Sequence, residues 1–505
     1  MKFRSMNSNF LTVSSWTLAS RVLGFVRDIT MAALLGTGPM AEAFLIAFSL
    51  PNLFRRFFAE GALNMAFVPL FTKKLNNGKE TAHLFANETF VMLGTILLFL
   101  TILAQLFMPF LVFAMASGFW GDERFDQATD LGRITFSYIF FISLAALISG
   151  ILNVKGKFMV AAAAPIVLNV MLIASMALAL YLDIEISLAL AIAVPISGIM
   201  QLILVWFAAK NIGFKLTLKL PRLTPDVKKL MIIAMPAALA GGVVQINLLV
   251  GRQIASGTEG AIAWLSYADR LYQLPLGVVG IAVGIVLLPE LSRRLTANDQ
   301  IGAQKAFNKS TEFALNLTIP ASIALIIIPS ELITTLFQRG AFDQNDTNYT
   351  AMALAIYGIG LPAFVLQKVL QPIYFAREDT KTPFKYALIS MAINAIIAIG
   401  LEPRIGFMSA AIATSIAGWS MLILLWVGAR KFKTAIRFDT IVYKKILIIL
   451  CSSIIMGFCI FIAKNYFEFL FNHSMMKYLG LLIIISIGLL TYFFSKFVLA
   501  FLFLK

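Results

Sequence analysis

A chain of 505 residues that is 60% apolar and only 13% charged, with a mean hydropathy of +0.88, is too apolar for a soluble fold. Soluble domains run nearer half apolar and a quarter charged. Its 41 Lys and Arg against 25 Asp and Glu leave a net charge of +16. That surplus is not a nucleic-acid surface, because it gathers in short loops on alternate sides of apolar runs, as in a membrane protein fixing its orientation.

Runs long enough to cross about 30 Å of hydrocarbon as helices recur along the whole length. They predict an all-α polytopic membrane protein of about fourteen spans. The first, 10–36, carries Arg21, Arg27 and Asp28. It has no clean apolar stretch leading to a small-residue cleavage site, so it does not read as a removed signal peptide. At 100° per residue Arg21 and Asp28 share a face two turns apart. The second span, 39–71, carries Glu42, then Pro51, which removes a backbone donor. Arg55, Arg56 and Glu60 follow, with Arg56 and Glu60 spaced for an i,i+4 pair. Spans three to six are read at 84–117, 133–154, 160–182 and 185–209. The acidic segment from Gly118 to Asp130 between spans three and four reads as a solvated loop.

A basic stretch with Pro221 and Pro225 at 211–226 reads as a cytoplasmic linker between a first lobe, 1–210, and a second, 227–432. Spans seven to twelve are read at 227–254, 260–291, 306–337, 347–376, 383–402 and 406–429. Span eight carries Asp269 and Arg270, and span ten carries Lys368. The polar segment 296–310 reads as lying at the cytoplasmic surface. Two strongly apolar spans, 444–463 and 476–498, complete the chain within a last segment, 433–505. Cys451 and Cys459 lie eight residues apart on one predicted helix, roughly 12 Å of rise, too far for a disulfide. His83 and His473 read as ordinary interfacial residues. No metal or cofactor site is expected.

With the N-terminus placed in the cytoplasm, roughly 28 of the 41 basic residues fall in inside loops and tails and about 6 outside. Both termini are therefore expected in the cytoplasm. The halves also repeat weakly. Val68-Pro69-Leu70 and Leu288-Pro289-Glu290 align at an offset of 220, as do Ala43-Phe44-Leu45 and Ala263-Trp264-Leu265. Asn169 and Asn394 match at a similar offset of 225. Two six-helix lobes related by an axis along the membrane normal are expected, with two C-terminal helices outside the repeat.

The charges inside spans are costly, several kcal/mol for two arginines even on a lenient insertion scale. A bland reading pairs them as buried structural bridges. It fits the set poorly, because Arg21, Arg27, Arg55 and Arg270 come from three spans and both repeats. Arginine offers a planar fork of donors that suits phosphate. A central cavity for a polyanionic head group is the functional reading.

These stretches resemble the MurJ (MviN) lipid II flippases, within the multidrug/oligosaccharidyl-lipid/polysaccharide exporter superfamily. The resemblance lies in Ser20-Arg21-Val22-Leu23-Gly24-Phe25 with Arg27-Asp28, and in Leu50-Pro51-Asn52-Leu53 with Arg55-Arg56. It continues in Phe58-Ala59-Glu60-Gly61, Tyr267-Ala268-Asp269-Arg270-Leu271 and Lys381-Thr382-Pro383. It implies two pseudo-symmetric lobes around a central cavity, with the two C-terminal helices forming a groove for a lipid tail. By the same resemblance Arg21, Arg27, Arg55 and Arg270 bind the substrate's head group, and Asp28, Glu42, Glu60 and Asp269 act as gate partners. Arg56 and Lys368 are further candidates. Family members more often carry Asp where Glu42 stands.

The implied activity is alternating-access transfer of the lipid-linked peptidoglycan precursor, lipid II, from the inner to the outer leaflet of the bacterial cytoplasmic membrane, without a cofactor. Membrane potential or a coupled ion would supply the drive. Lipid II, membrane lipids and cell-wall synthesis proteins are the expected partners. The rival readings are an exporter of other lipid-linked oligosaccharides, a cation-coupled drug antiporter and, more remotely, a membrane glycosyltransferase or a scaffold.

Overall fold

The computed structural model describes residues 2–55, 64–217, 220–282, 287–297, 299–432, 437–473 and 475–503. Among them there are helices and turns but no strand. In chain order the α-helices are α1 Lys2–Leu35, α2 Pro39–Arg55, α3 Asn64–Asn77, α4 Lys79–Leu106, α5 Met108–Met115, α6 Glu123–Phe136, α7 Tyr138–Val154, α8 Phe158–Leu182 and α9 Ile186–Asn211. They continue with α10 Pro225–Ser256, α11 Ala261–Ala282, α12 Leu288–Thr296, α13 Gln300–Ile327, α14 Pro329–Leu336, α15 Gln344–Phe375, α16 Lys381–Ile405, α17 Met408–Ala429, α18 Thr440–Tyr466 and α19 Met476–Phe503. Ten helical segments among the described residues are long and apolar enough to cross a membrane. The chain forms two compact units, Met1–Leu249 and Val250–Lys505.

Proline and capping chemistry set several boundaries that hydropathy alone does not see. The apolar run 84–117 is two helices, because α4 stops at Phe107 and Pro109 sits in the first turn of α5. A proline there gives up no needed donor. The run 306–337 divides in the same way, with Pro329 opening α14. Pro109 and Pro329 stand 220 residues apart, and each opens a helix of 8 residues.

The segment from Gly118 to Asp130 is not a solvated loop. Asp122 caps α6, accepting the Arg124 backbone N–H, and α6 and α7 together make one apolar span, Glu123–Val154. Asp343 caps α15 with a full capping box to Asp346. The segment 296–310 is likewise mostly helical, since α13 begins at Gln300 with Asp299 as its cap.

Within the first unit α2 packs on α6, α7 and α8 on α9, and α1 on α8. Within the second unit α11 packs on α15, and α15 and α16 on α17. The 220-residue offset maps the α2–α6, α7–α9 and α8–α9 pairings onto α11–α15, α15–α17 and α16–α17, so the repeat is one of packing as well as of sequence. α18 and α19 have no counterpart. They pack on each other and, through α18, on α13. Met456, Ile460, Ile484 and Tyr492 form an apolar core there with Ile328.

Lipid is as apolar as leucine, so helices associate in it through close backbone approach at small residues. Gly198 in α9 shows this. A Cβ there would lie 2.7 Å from Tyr138 and 3.1 Å from Phe141 on α7. Its repeat counterpart, Gly418 in α17, would meet the Phe364 ring of α15 at 2.9 Å. Gly198→Ala is expected to destabilise the protein by about 1–3 kcal/mol through overpacking. The check is the thermal unfolding midpoint in detergent; an unchanged midpoint would show that α7 and α9 separate at no cost.

Candidate functional site

α1 is 34 residues long, about 51 Å at helical rise, and carries its charges near the middle of its apolar stretch. Arg27 is 7% exposed and Asp28 is 3% exposed. Adjacent helical residues point about 100° apart, so the Arg27 arm wraps back to reach its neighbour. Arg27 Nε and Nη2 donate to Asp28 Oδ1 at 3.0 and 2.6 Å. Arg27 Nη1 donates to Asn169 Oδ1 at 3.0 Å. Asn169 in turn donates through Nδ2 to the Ser20 carbonyl at 3.0 Å. The carboxamide thus links α8 to α1 at two levels and fixes the guanidinium plane. Phe48 of α2 lies 5.8 Å from the guanidinium.

The other predicted residues occupy different surroundings. Arg21 lies exposed on α1. Arg55 ends α2, half-buried, with its Nε donating to Asn52 Oδ1 at 3.3 Å. Arg270 is exposed on α11 beside the half-buried Asp269, which accepts a hydrogen bond from Gln273. Lys368 is exposed on α15. Arg56 and Glu60 lie outside the described residues.

Glu42 belongs to a second cluster that the sequence reading did not assemble. It is 0% exposed, and Arg124, 6% exposed, donates Nη1 to its Oε2 at 2.8 Å. Arg124 also grips Asp122 through Nε and Nη2 at 2.8 and 2.6 Å, and lies 4.4 Å over the Phe119 ring. Three charges and an aromatic face therefore hold α2 against the start of α6. The available signal was Asp122 followed by Glu123, an acidic cap and first turn that announce a helix rather than a loop. In the second unit, the corresponding place carries an aromatic contact. Trp264 of α11 donates Nε1 to Asp346 Oδ1 at 2.8 Å and stacks at 4.4 Å on Tyr349.

A many-span helical protein with a buried, paired arginine, on a duplicated packing plan, is a polytopic membrane transporter. A family model described as lipid II flippase MurJ matches residues 31–495, and the chain belongs to that family. It is 43% identical over 494 residues to the probable lipid II flippase MurJ of Rhizobium tropici, covering 96% of this chain and 93% of that one. It is 34% identical over 428 residues to the lipid II flippase MurJ of Burkholderia cenocepacia, covering 83% of each. Among solved structures, a lipid II flippase MurJ in an inward closed conformation superposes with a TM-score of 0.82 at 28% identity, covering 98% of this chain and 100% of that one. An inward-facing multidrug resistance transporter of the MATE family shares the fold, with a TM-score of 0.69 at 14% identity over 84% of this chain and 98% of that one.

Arg124→Gln removes the bridging cation beside a carboxylate that water does not reach. Breaking such a pair costs about 3–5 kcal/mol. The thermal midpoint should fall accordingly, and Glu42→Gln combined with Arg124→Gln should recover part of the loss. Additive effects in this double-mutant cycle would mean that the two side chains are not energetically coupled.

Proposed function

We propose that the protein moves lipid II from the cytoplasmic to the periplasmic leaflet of the bacterial inner membrane, its arginines holding the diphosphate. The observation that carries this reading is Arg27, a buried guanidinium held in a fixed orientation by Asp28 and Asn169. A diphosphate presents the same geometry to that fork as a carboxylate does, with more charge. Passage of the diphosphate through hydrocarbon unaided would cost on the order of tens of kcal/mol. Arginines that replace its hydration remove most of that barrier.

In this reading Arg21, Arg27, Arg55 and Arg270 bind the head group, assisted by Arg56 and Lys368. Asp28, Glu60 and Asp269 compete with the phosphates for them, so that binding biases one state over another. Glu42, bridged to Arg124, acts by holding α2 to α6 while these exchanges occur. The lobes are assigned to 1–210 and 227–432, joined by the linker 211–226, with fourteen spans in all and both termini cytoplasmic. They rock as repeat-built transporters do. The segment 433–505 carries the isoprenoid tail. An interior-negative potential favours outward movement of the anion by about 2.3 kcal/mol per charge per 100 mV.

Arg270 is exposed, so its removal leaves no buried cavity. A charge-assisted hydrogen bond contributes about 1.5–3 kcal/mol. Arg270→Ala should therefore slow lipid II translocation in reconstituted vesicles by about tenfold to a hundredfold while membrane insertion is unchanged. Translocation at the wild-type rate would remove Arg270 from the head-group site.

A further inference from the structure

α13, α18 and α19 bring the same-side ends of three apolar helices together around a cleft of about 510 Å³. Four lysines line it, Lys305 and Lys309 from α13, Lys445 from α18 and Lys496 from α19, against two acids, Glu312 and Asp439. The acids are already engaged. Asp439 caps α18 by accepting the Val442 N–H at 3.0 Å, and Glu312 accepts from Lys445 at 2.9 Å. Lys496 donates to Asn316 Oδ1, which also accepts from Tyr492 at 2.7 Å. Lys305 and Lys309 are exposed and form no ion pair with any other described residue. The cleft thus carries a surplus of two positive charges at the depth where lipid head groups sit.

One wall gives the cleft a second chemical demand. Asn308, which lines it, is 3% exposed. Its Nδ2 faces the Arg437 carbonyl at 3.4 Å, which assigns the amide orientation, and its Oδ1 has no hydrogen-bond partner. A buried carbonyl oxygen without a donor costs about 1–3 kcal/mol. It calls for an O–H or N–H group from an occupant. Phe313 and Ile441 on the rim are exposed and apolar, so chains leaving the cleft would run into lipid.

We propose that this cleft holds the head group of a resident phospholipid that joins an anionic phosphodiester to a free hydroxyl, as phosphatidylglycerol does. The lysines take the phosphate and Asn308 accepts the hydroxyl. Basic pockets between spans capture anionic lipids in this manner, with about 1 kcal/mol from each Lys near the surface. The lipid clamps α18 and α19 onto α13, a role separate from the arginines of α1, α2 and α11.

The test is native mass spectrometry of the purified full-length protein titrated with phosphatidylglycerol, with phosphatidylmethanol, which has the same charge but no hydroxyl, and with phosphatidylcholine. Phosphatidylglycerol should bind about tenfold more tightly than phosphatidylcholine. The double substitution Lys305→Gln with Lys309→Gln should erase that difference without changing the thermal midpoint of the lipid-free protein. Asn308→Leu should remove the preference for phosphatidylglycerol over phosphatidylmethanol. Retention of phosphatidylglycerol by the double-lysine variant at wild-type affinity would overturn the assignment. So would its one-for-one displacement by a polyprenyl diphosphate, which would give the cleft to the transported substrate instead.

Discussion

A guanidinium cannot lie unattended in the interior of a membrane protein. An Arg at the centre of a span costs about 2.5–3.5 kcal/mol on insertion scales, and more where water is excluded. Arg27 meets that constraint locally, through its chain neighbour Asp28, and at long range through Asn169. The local half sets the charge balance of α1. The long-range half docks α1 on α8, because the same carboxamide also binds the Ser20 carbonyl. Three of the guanidinium's five N–H groups are committed in this way, and each goes to an oxygen acceptor that a phosphate oxygen can replace.

The duplicated plan recurs in helix ends and in close helix approaches. Prolines 220 residues apart open α5 and α14, aspartates cap α6 and α15, and glycines bring α9 onto α7 and α17 onto α15. Backbone devices have been kept in both units because they set helix ends and approach distances. One side-chain contact between equivalent helices differs. Where the first unit joins α2 to α6 by Glu42 and Arg124, the second joins α11 to α15 by Trp264 and Asp346. The two units therefore present similar frames joined by different side-chain contacts at equivalent places.

Much of this was legible in the sequence. Apolar length alone announces helices in lipid, where every backbone group must be satisfied within its own segment. Asn169 stood out as half of a repeated pair, and the structure gives it a purpose. Its partner Asn394 is buried in α16. What hydropathy could not supply was any contact across distant sequence. Glu42 and Arg124 are 82 residues apart, and Arg124 sits in a stretch whose charges suggested solvent. The helix breaks at Pro109 and Pro329 escaped for a related reason, since an apolar run scores the same whether it is one helix or two.

The two C-terminal helices stand outside the repeat, so nothing in the duplicated frame dictates where they go. Their position is set by small residues and by charge. Gly457 lets α18 approach Ile323 and Ile327 on α13, and Gly488 of α19 receives Ile460 of α18. At one end the bridge from Lys445 to Glu312 adds a polar tie, and at the other Lys464 reaches Glu331 of α14 and the Ile327 carbonyl. Their lipid-facing sides remain continuously apolar, with Phe458, Phe461, Phe494 and Phe497 all exposed. A pair of helices pinned at both ends to the second unit, and apolar on its exposed side, stands outside the repeated frame and leaves that frame's own packing unconstrained.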